Sequence, residues 1–206
     1  MEDIFQALQV QDELGNEETD AVLNRLVGSE TVTNLLMHLR HESPTGELED
    51  NDSRWRRQEQ AALQVAARCQ IPGRGRAFKD ELNRQGVVDR LVVCACDREQ
   101  RGEQDVYVPV AVKDAFLRAL AESVYDHPGN AEVAATRGVL TMAGRTLERL
   151  STCDYLTENL LCVINNVIGM SQTTHALLPE SRIIPSLVRL ASSKSGPGGG
   201  GGGGVS

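Results

Sequence analysis

L-T-E-N-L-L-C-V-I-N-N-V-I-G-M-S-Q-T-T-H-A-L-L-P-E-S-R-I-I-P-S-L-V-R-L, running from Leu156 to Leu190, sets two apolar helical phases on either side of a polar break. Leu160, Leu161, Ile164, Val167 and Ile168 recur with the 3.6-residue period of a buried helix, and Ile183, Ile184, Leu187, Val188 and Leu190 repeat it. The pattern predicts two helices packed face to face.

Working outward, the same layout recurs upstream. Gln58 to Cys96 reads Q-E-Q-A-A-L-Q-V-A-A-R-C-Q, a loop, then R-A-F-K-D-E-L-N-R-Q-G-V-V-D-R-L-V-V-C-A-C. Val112 to Leu150 gives a third copy, again a helix, a turn, a short helix and an apolar final helix. The final helices start at Val87, Val139 and Ile183, 52 and 44 residues apart. Thr31 to Arg40, with Val32, Leu35, Leu36 and Leu39, is a first such helix, its Val32 lying 55 residues before Val87. The excess length is visible as H-E-S-P-T-G-E-L-E-D-N-D-S. Recurrence at spacings of this size marks stacked supersecondary units, each too small to bury its apolar face alone. Three to four units with loops of uneven length fill the chain.

At these residues the chain resembles the armadillo repeat: an alanine- and leucine-rich helix, a small link, then G-x-I/V-P-x-L-V-x-L leading the third helix. Gly86-Val87-Val88-Asp89-Arg90-Leu91-Val92 and Arg182-Ile183-Ile184-Pro185-Ser186-Leu187-Val188 carry the closest matches. Armadillo units place a glycine before that helix because the chain turns sharply, and glycine takes a positive φ without steric cost. Gly86 and Gly138 fit, while Arg182 departs. The resemblance implies an all-α, armadillo- or HEAT-like α-solenoid over residues 1–192, a right-handed superhelix of short helices. Many armadillo proteins also carry an asparagine on the inner helix that bonds the backbone of an extended peptide. That position is Asn166 in the last unit but Ala67 and Glu122 in the others, so the asparagine ladder of nuclear-import receptors is not carried over.

Composition agrees. The chain has 206 residues, 40% apolar but only 3% aromatic, which suits closely stacked aliphatic helices better than aromatic-rich strands. A net charge of −8 opposes nonspecific binding to nucleic acid or anionic membranes and favours basic protein surfaces. No run approaches the ~18–20 apolar residues of a membrane span. The opening M-E-D-I-F-Q-A-L-Q-V lacks the basic region of a secretory signal. A cytosolic or nuclear location is predicted.

The reactive side chains form no catalytic pattern. Cys69, Cys94, Cys96, Cys153 and Cys162 are odd in number and lie in apolar phases, which reads as buried thiols. Cys94-Ala95-Cys96 lacks the second ligand pair of a zinc site, and His38 and His41 have no thiol or carboxylate at ligand spacing. Gly73-Arg74-Gly75-Arg76 has two arginines that could hold a phosphate, but it lacks the P-loop order and falls where an inter-helix turn is needed. His127 precedes Pro128-Gly129-Asn130 in a turn, and no serine occupies a nucleophile elbow. No catalytic residue, metal or cofactor is predicted.

Two polar insertions, 42–53 and 97–109, read as flexible and solvated, and 193–206, with seven consecutive glycines, reads as a disordered tail. The tail follows an apolar final helix where a finished array shows a polar cap. That predicts a truncated array or a last helix that pairs with a partner.

The resulting expectation is a non-enzymatic scaffold that binds an extended peptide or a helix of another protein along the concave face of the final helices. Asn166, Glu122, Arg90 and Arg189 are the expected contacts. Trp55, among Arg54, Arg56 and Arg57, is both a candidate binding residue and a candidate plug between repeats. Two other readings stand beside this one. Armadillo proteins that stimulate GDP release from small GTPases have similarly irregular repeats without the ladder. The uncapped end would also suit a self-associating segment of a larger cytoskeletal or ciliary scaffold.

Overall fold

Alanine and leucine at helical spacing, with glycine and proline held to the joints, dictate a chain of helices. The computed structural model describes residues 16–40, 50–96, 108–149 and 155–194, and among them every regular element is helical and none is a strand. Helices α1 (Asn16–Val27) and α2 (Ser29–Leu39) come first. Three triplets of long, short and final helix follow. The first is α3 (Asn51–Cys69), α4 (Gly75–Arg84) and α5 (Val87–Ala95); the second is α6 (Val110–Val124), α7 (Pro128–Thr136) and α8 (Val139–Arg149). The third is α9 (Tyr155–Met170), α10 (Thr174–Leu177) and α11 (Ile183–Lys194). No helix among the described residues is long and apolar enough to cross a membrane.

Each triplet enters its final helix through left-handed backbone, at Gly86 (φ +73), Gly138 (φ +85) and Arg182 (φ +58). Glycine takes this conformation freely, whereas an L side chain pays roughly 1–2 kcal/mol for it. Arg182, a departure by residue type, is therefore equivalent by conformation. Gly28, before α2, is instead extended at φ −72, so the first pair is entered differently.

The long helices lie along one another, α3 against α6 and α6 against α9, and α2 rests on α3. Leu82, Leu91, Leu120, Leu140, Leu147 and Leu160 are fully buried, with Phe78, Phe116 and Trp55 as large aromatic partners in the core. Each such side chain contributes roughly 1.5–3 kcal/mol by leaving water.

Several expectations are corrected. Helix α11 packs mainly on α8 rather than face to face with α9. Periodicity shows which stripe of a helix is apolar, but not which neighbour covers it. As a result Ile183 is buried, while Ile184 and Val188 are 58% and 60% exposed and Leu161 is exposed as well. The insertion expected over 42–53 ends sooner, because Asp50 caps α3. Its carboxylate accepts from the Ser53 amide at 2.9 Å and the Ser53 hydroxyl at 2.7 Å, a bonding pattern that lowers the Asp50 pKa and starts the helix at Asn51. Val108, expected in the solvated insertion 97–109, is buried. Ser193 and Lys194, expected in the tail, close α11. The remaining parts of those segments, 42–49, 97–107 and 195–206, lie outside the described residues, as do His41 and Cys153.

Candidate functional site

The last carbonyls of a helix have no partner within it and carry partial negative charge, so donors from elsewhere are drawn there. Two of the arginines singled out from the sequence serve this purpose. Arg90 on α5 donates its Nε to the Leu39 carbonyl at the end of α2, 3.0 Å away. The buried Gln58 amide reaches the same carbonyl at 3.3 Å. Arg189 on α11 donates Nη2 to the carbonyls of Leu147 and of Glu148 (3.1 Å) at the end of α8. Both arginines thus join the final helix of one unit to that of the preceding unit.

Asn166, on α9, is half-buried and donates Nδ2 to the Ala121 carbonyl of α6 at 3.1 Å. Its second N–H and its Oδ1 make no further bond among the described residues. Glu122, the next residue of α6, is half-buried, and its charge acts on Cys69 at the end of α3. One turn or more along the α6–α9 seam, Asn159 Nδ2 donates to Asp114 Oδ1 at 2.7 Å. Asn166 therefore sits at the α6–α9 seam, with Arg90 and Arg189 at the α2–α5 and α8–α11 seams. Trp55 is 6% exposed, with the Arg54 guanidinium over its ring at 4.6 Å. It fills space between helices rather than meeting solvent.

The strongest polar cluster was missed by the sequence reading. Asn130, fully buried at the start of α7, donates Nδ2 to the Ser123 carbonyl at 2.8 Å and the Lys79 carbonyl at 3.2 Å. His127 caps α7, its Nδ1 accepting from the Asn130 amide at 3.0 Å. The ring proton then belongs on Nε2, which faces Asp80 Oδ1 at 3.0 Å. Buried Lys79 donates Nζ to the Tyr125 carbonyl at 2.7 Å. The signal present in the sequence was H-P-G-N, a cap followed by proline at the first helical position. Both ring nitrogens of His127 are taken up by Asn130 and Asp80, and neither meets a hydroxyl or a thiol.

The arginines of the Gly73–Arg76 turn point to different places. Arg74 Nη2 pairs with Asp20 at 2.9 Å and Arg76 Nη1 donates to the Asp126 carbonyl at 2.8 Å, an arrangement that ties α4 to its neighbours. Cys69 is buried and Cys162 exposed, so the expectation of buried thiols fails at Cys162. Burial pushes the Cys69 thiol up to about 12. Among the described residues no group of three or more histidine, cysteine, aspartate or glutamate side chains stands close enough to hold a metal ion.

Two polar clefts open at seams. One of about 310 Å³ lies between α2 and α3, lined by Asn34, His38, Arg57 and Gln64 among others. The other, of about 460 Å³, lies between α8 and the turn before α11, with Arg145, Glu148, Glu180 and Arg182 on its walls. Such a set of amides, guanidinium groups and carboxylates can hydrogen-bond a backbone or pair with charged side chains. No family model matches the chain, and no match is found to a curated protein or to a solved structure.

Proposed function

We propose that this chain is an armadillo-like scaffold that binds an extended segment of another protein across the seams of its stacked triplets. One observation carries the proposal. The same long, short and final helix recur three times, each final helix entered by one left-handed residue, with side chains of one triplet bonded to backbone of the one before. That is the economy of a repeat scaffold, in which the interior sets the shape and the solvent-facing polar groups set the partner.

The α6–α9 seam is the centre of the proposed site. Asn166 keeps an N–H and an oxygen for a peptide backbone, and the half-buried Glu122 of α6 offers a carboxylate to a basic side chain. A chain charge of −8 favours the same partner chemistry. Non-enzymatic recognition fits this set of groups.

The test is selection of peptides from a random display library on the full chain, followed by titration of the enriched sequences. Enriched peptides should carry lysine or arginine, and Glu122→Gln should weaken them about tenfold, equivalent to ~1.4 kcal/mol. Asn166→Ala should weaken them too, with helicity and unfolding midpoint measured alongside because the residue also bonds Ala121. Enrichment of purely acidic or apolar peptides, or affinity untouched by Glu122→Gln, sinks the reading.

A further inference from the structure

The final helices begin at Val87, Val139 and Ile183, so Gln85, Arg137 and Ser181 hold the same place two residues ahead of them. The first two reach across to the preceding final helix. Gln85 donates Nε2 to the Ser29 carbonyl of α2 at 2.9 Å, and its Oε1 accepts from the Thr33 hydroxyl at 2.9 Å. Arg137 pairs through Nε with Asp89 Oδ1 of α5 at 2.7 Å. Ser181 does not follow them. Its hydroxyl donates to the Leu178 carbonyl at 2.7 Å and accepts from the Ile183 amide at 3.4 Å, both within its own turn. Asp89 is the third residue of α5, and the third residue of α8 is Thr141, so neither half of that ion pair is repeated at α8.

The cleft of about 460 Å³ opens at this point, with Thr141 and Ser181 on its walls. Separation of the backbones is not its cause, because a Cβ on Gly144 would stand 1.8 Å from the Ser181 carbonyl oxygen. The cause is the shortness of the two side chains. Arg145, Arg149 and Arg182 line the cleft with Glu148 and Glu180, three guanidinium groups against two carboxylates, which leaves one positive charge over in a chain of net charge −8. Two of these guanidinium groups have donors to give. Arg145 makes no hydrogen bond or ion pair among the described residues. Arg182 holds only a loose pair with Glu148 among them, at 3.6 Å and with side chains 72% and 41% exposed. Arg182 also keeps its side chain at a left-handed position, φ +58, where the two earlier joints have glycine, and local strain of this kind gathers at binding sites.

We propose that this cleft binds a carboxylate, which supplies from outside the group that Asp89 supplies at the preceding seam and is held by the forked donors of Arg145 and Arg182. One surplus positive charge matches a carboxylate rather than a phosphate dianion, whose second charge would meet Glu148 and Glu180 with nothing to offset it. The carboxylate is an aspartate or glutamate side chain of another protein or a free organic acid, and the chemistry of capture is the same for both. The site is separate from the α6–α9 seam and does not depend on peptide binding there.

The test is a titration of the full isotope-labelled chain followed by amide chemical shifts. The probes are acetyl-Gly-Glu-Gly-amide, its glutamine counterpart, propanoate and inorganic phosphate. The glutamate peptide or propanoate should move the amides of Thr141, Arg145, Ser181 and Arg182, the glutamine peptide should not, and phosphate should bind more weakly. Tighter binding of the peptide than of propanoate assigns the carboxylate to a protein side chain, any other order assigns it to a free acid, and either upholds the site. Arg145→Gln should weaken binding about fivefold. Thr141→Asp places a competing carboxylate in the first turn of α8, where it suits the helix. It should weaken binding about tenfold, while the neutral Thr141→Asn leaves it unchanged. Both positions are exposed, and the unfolding midpoint of each variant is measured first. Four results overturn the proposal: no shift with either carboxylate, shifts that the glutamine peptide reproduces, tighter binding of phosphate, or affinity untouched by Arg145→Gln and Thr141→Asp.

Discussion

Gly138→Ala should destabilise the fold by roughly 0.5–1.5 kcal/mol, and Arg182→Gly, at the equivalent joint one triplet later, should leave it unchanged or raise its stability by up to about 1 kcal/mol. The opposite signs follow from one backbone conformation. Gly138 stands at φ +85 with nothing within 4 Å of where a Cβ would be, so alanine there meets no clash and feels only its own backbone. The left-handed well costs an L residue roughly 1–2 kcal/mol, and the stiffer unfolded chain offsets about 0.4–1 kcal/mol of that. At Arg182, with φ +58, glycine removes the first term and incurs the second. It also loses the ion pair to Glu148, which at 3.6 Å with side chains 72% and 41% exposed is worth roughly 0–1 kcal/mol. Urea unfolding followed by far-ultraviolet circular dichroism measures both, with the slope compared to confirm that the unfolded ensemble is unchanged. Alanine tolerated at Gly138 without loss, or a loss above about 1 kcal/mol on Arg182→Gly, would refute the equivalence of these joints.

Asn130→Ala should cost roughly 2–4 kcal/mol in the same assay, since the Ser123 and Lys79 carbonyls lose their buried donor. Glu81 supplies a pH dependence. Hydrogen bonds from Arg84, with help from Gln85 and Ser29, hold its carboxyl at about 2 against an ordinary 4.5. A depressed folded pKa means stability that is complete above 4.5 and lost as pH falls toward 2, so the gap between wild type and Glu81→Gln should narrow through that window. A gap that is constant from neutral pH down to about 3 contradicts this. In native protein at neutral pH, a thiol reagent followed by peptide mapping should label the exposed Cys162 and spare Cys69, which burial holds in the neutral form. Equal labelling of the two would show that the α3 end opens readily.

Much of the helical layout was legible because its causes are local. The 3.6-residue rhythm, the glycines at 86 and 138 and the polar breaks each act within a few residues, so the final helices at Val87, Val139 and Ile183 could be placed from the chain alone. The start of α3 was misplaced for an equally local reason that went unread, the bonds from Asp50 to Ser53. The candidate site was legible only in part. Asn166 was placed on the right helix, but the sequence could not show that Asn166, Arg90 and Arg189 spend donors on the carbonyls of Ala121, Leu39, Leu147 and Glu148, because those carbonyls lie more than forty residues away along the chain.

What the sequence by itself determined is which residues form helices and which stripe of each is apolar, since both follow from propensity and period. Only the tertiary structure decided which stripe meets which. It put α11 on α8, sank Asn130 and His127 between α4 and α7, and left Ile184 and Val188 facing water. The physical reason is range: a helix forms by bonds four residues apart, whereas burial depends on where other helices lie, and no local pattern records their positions.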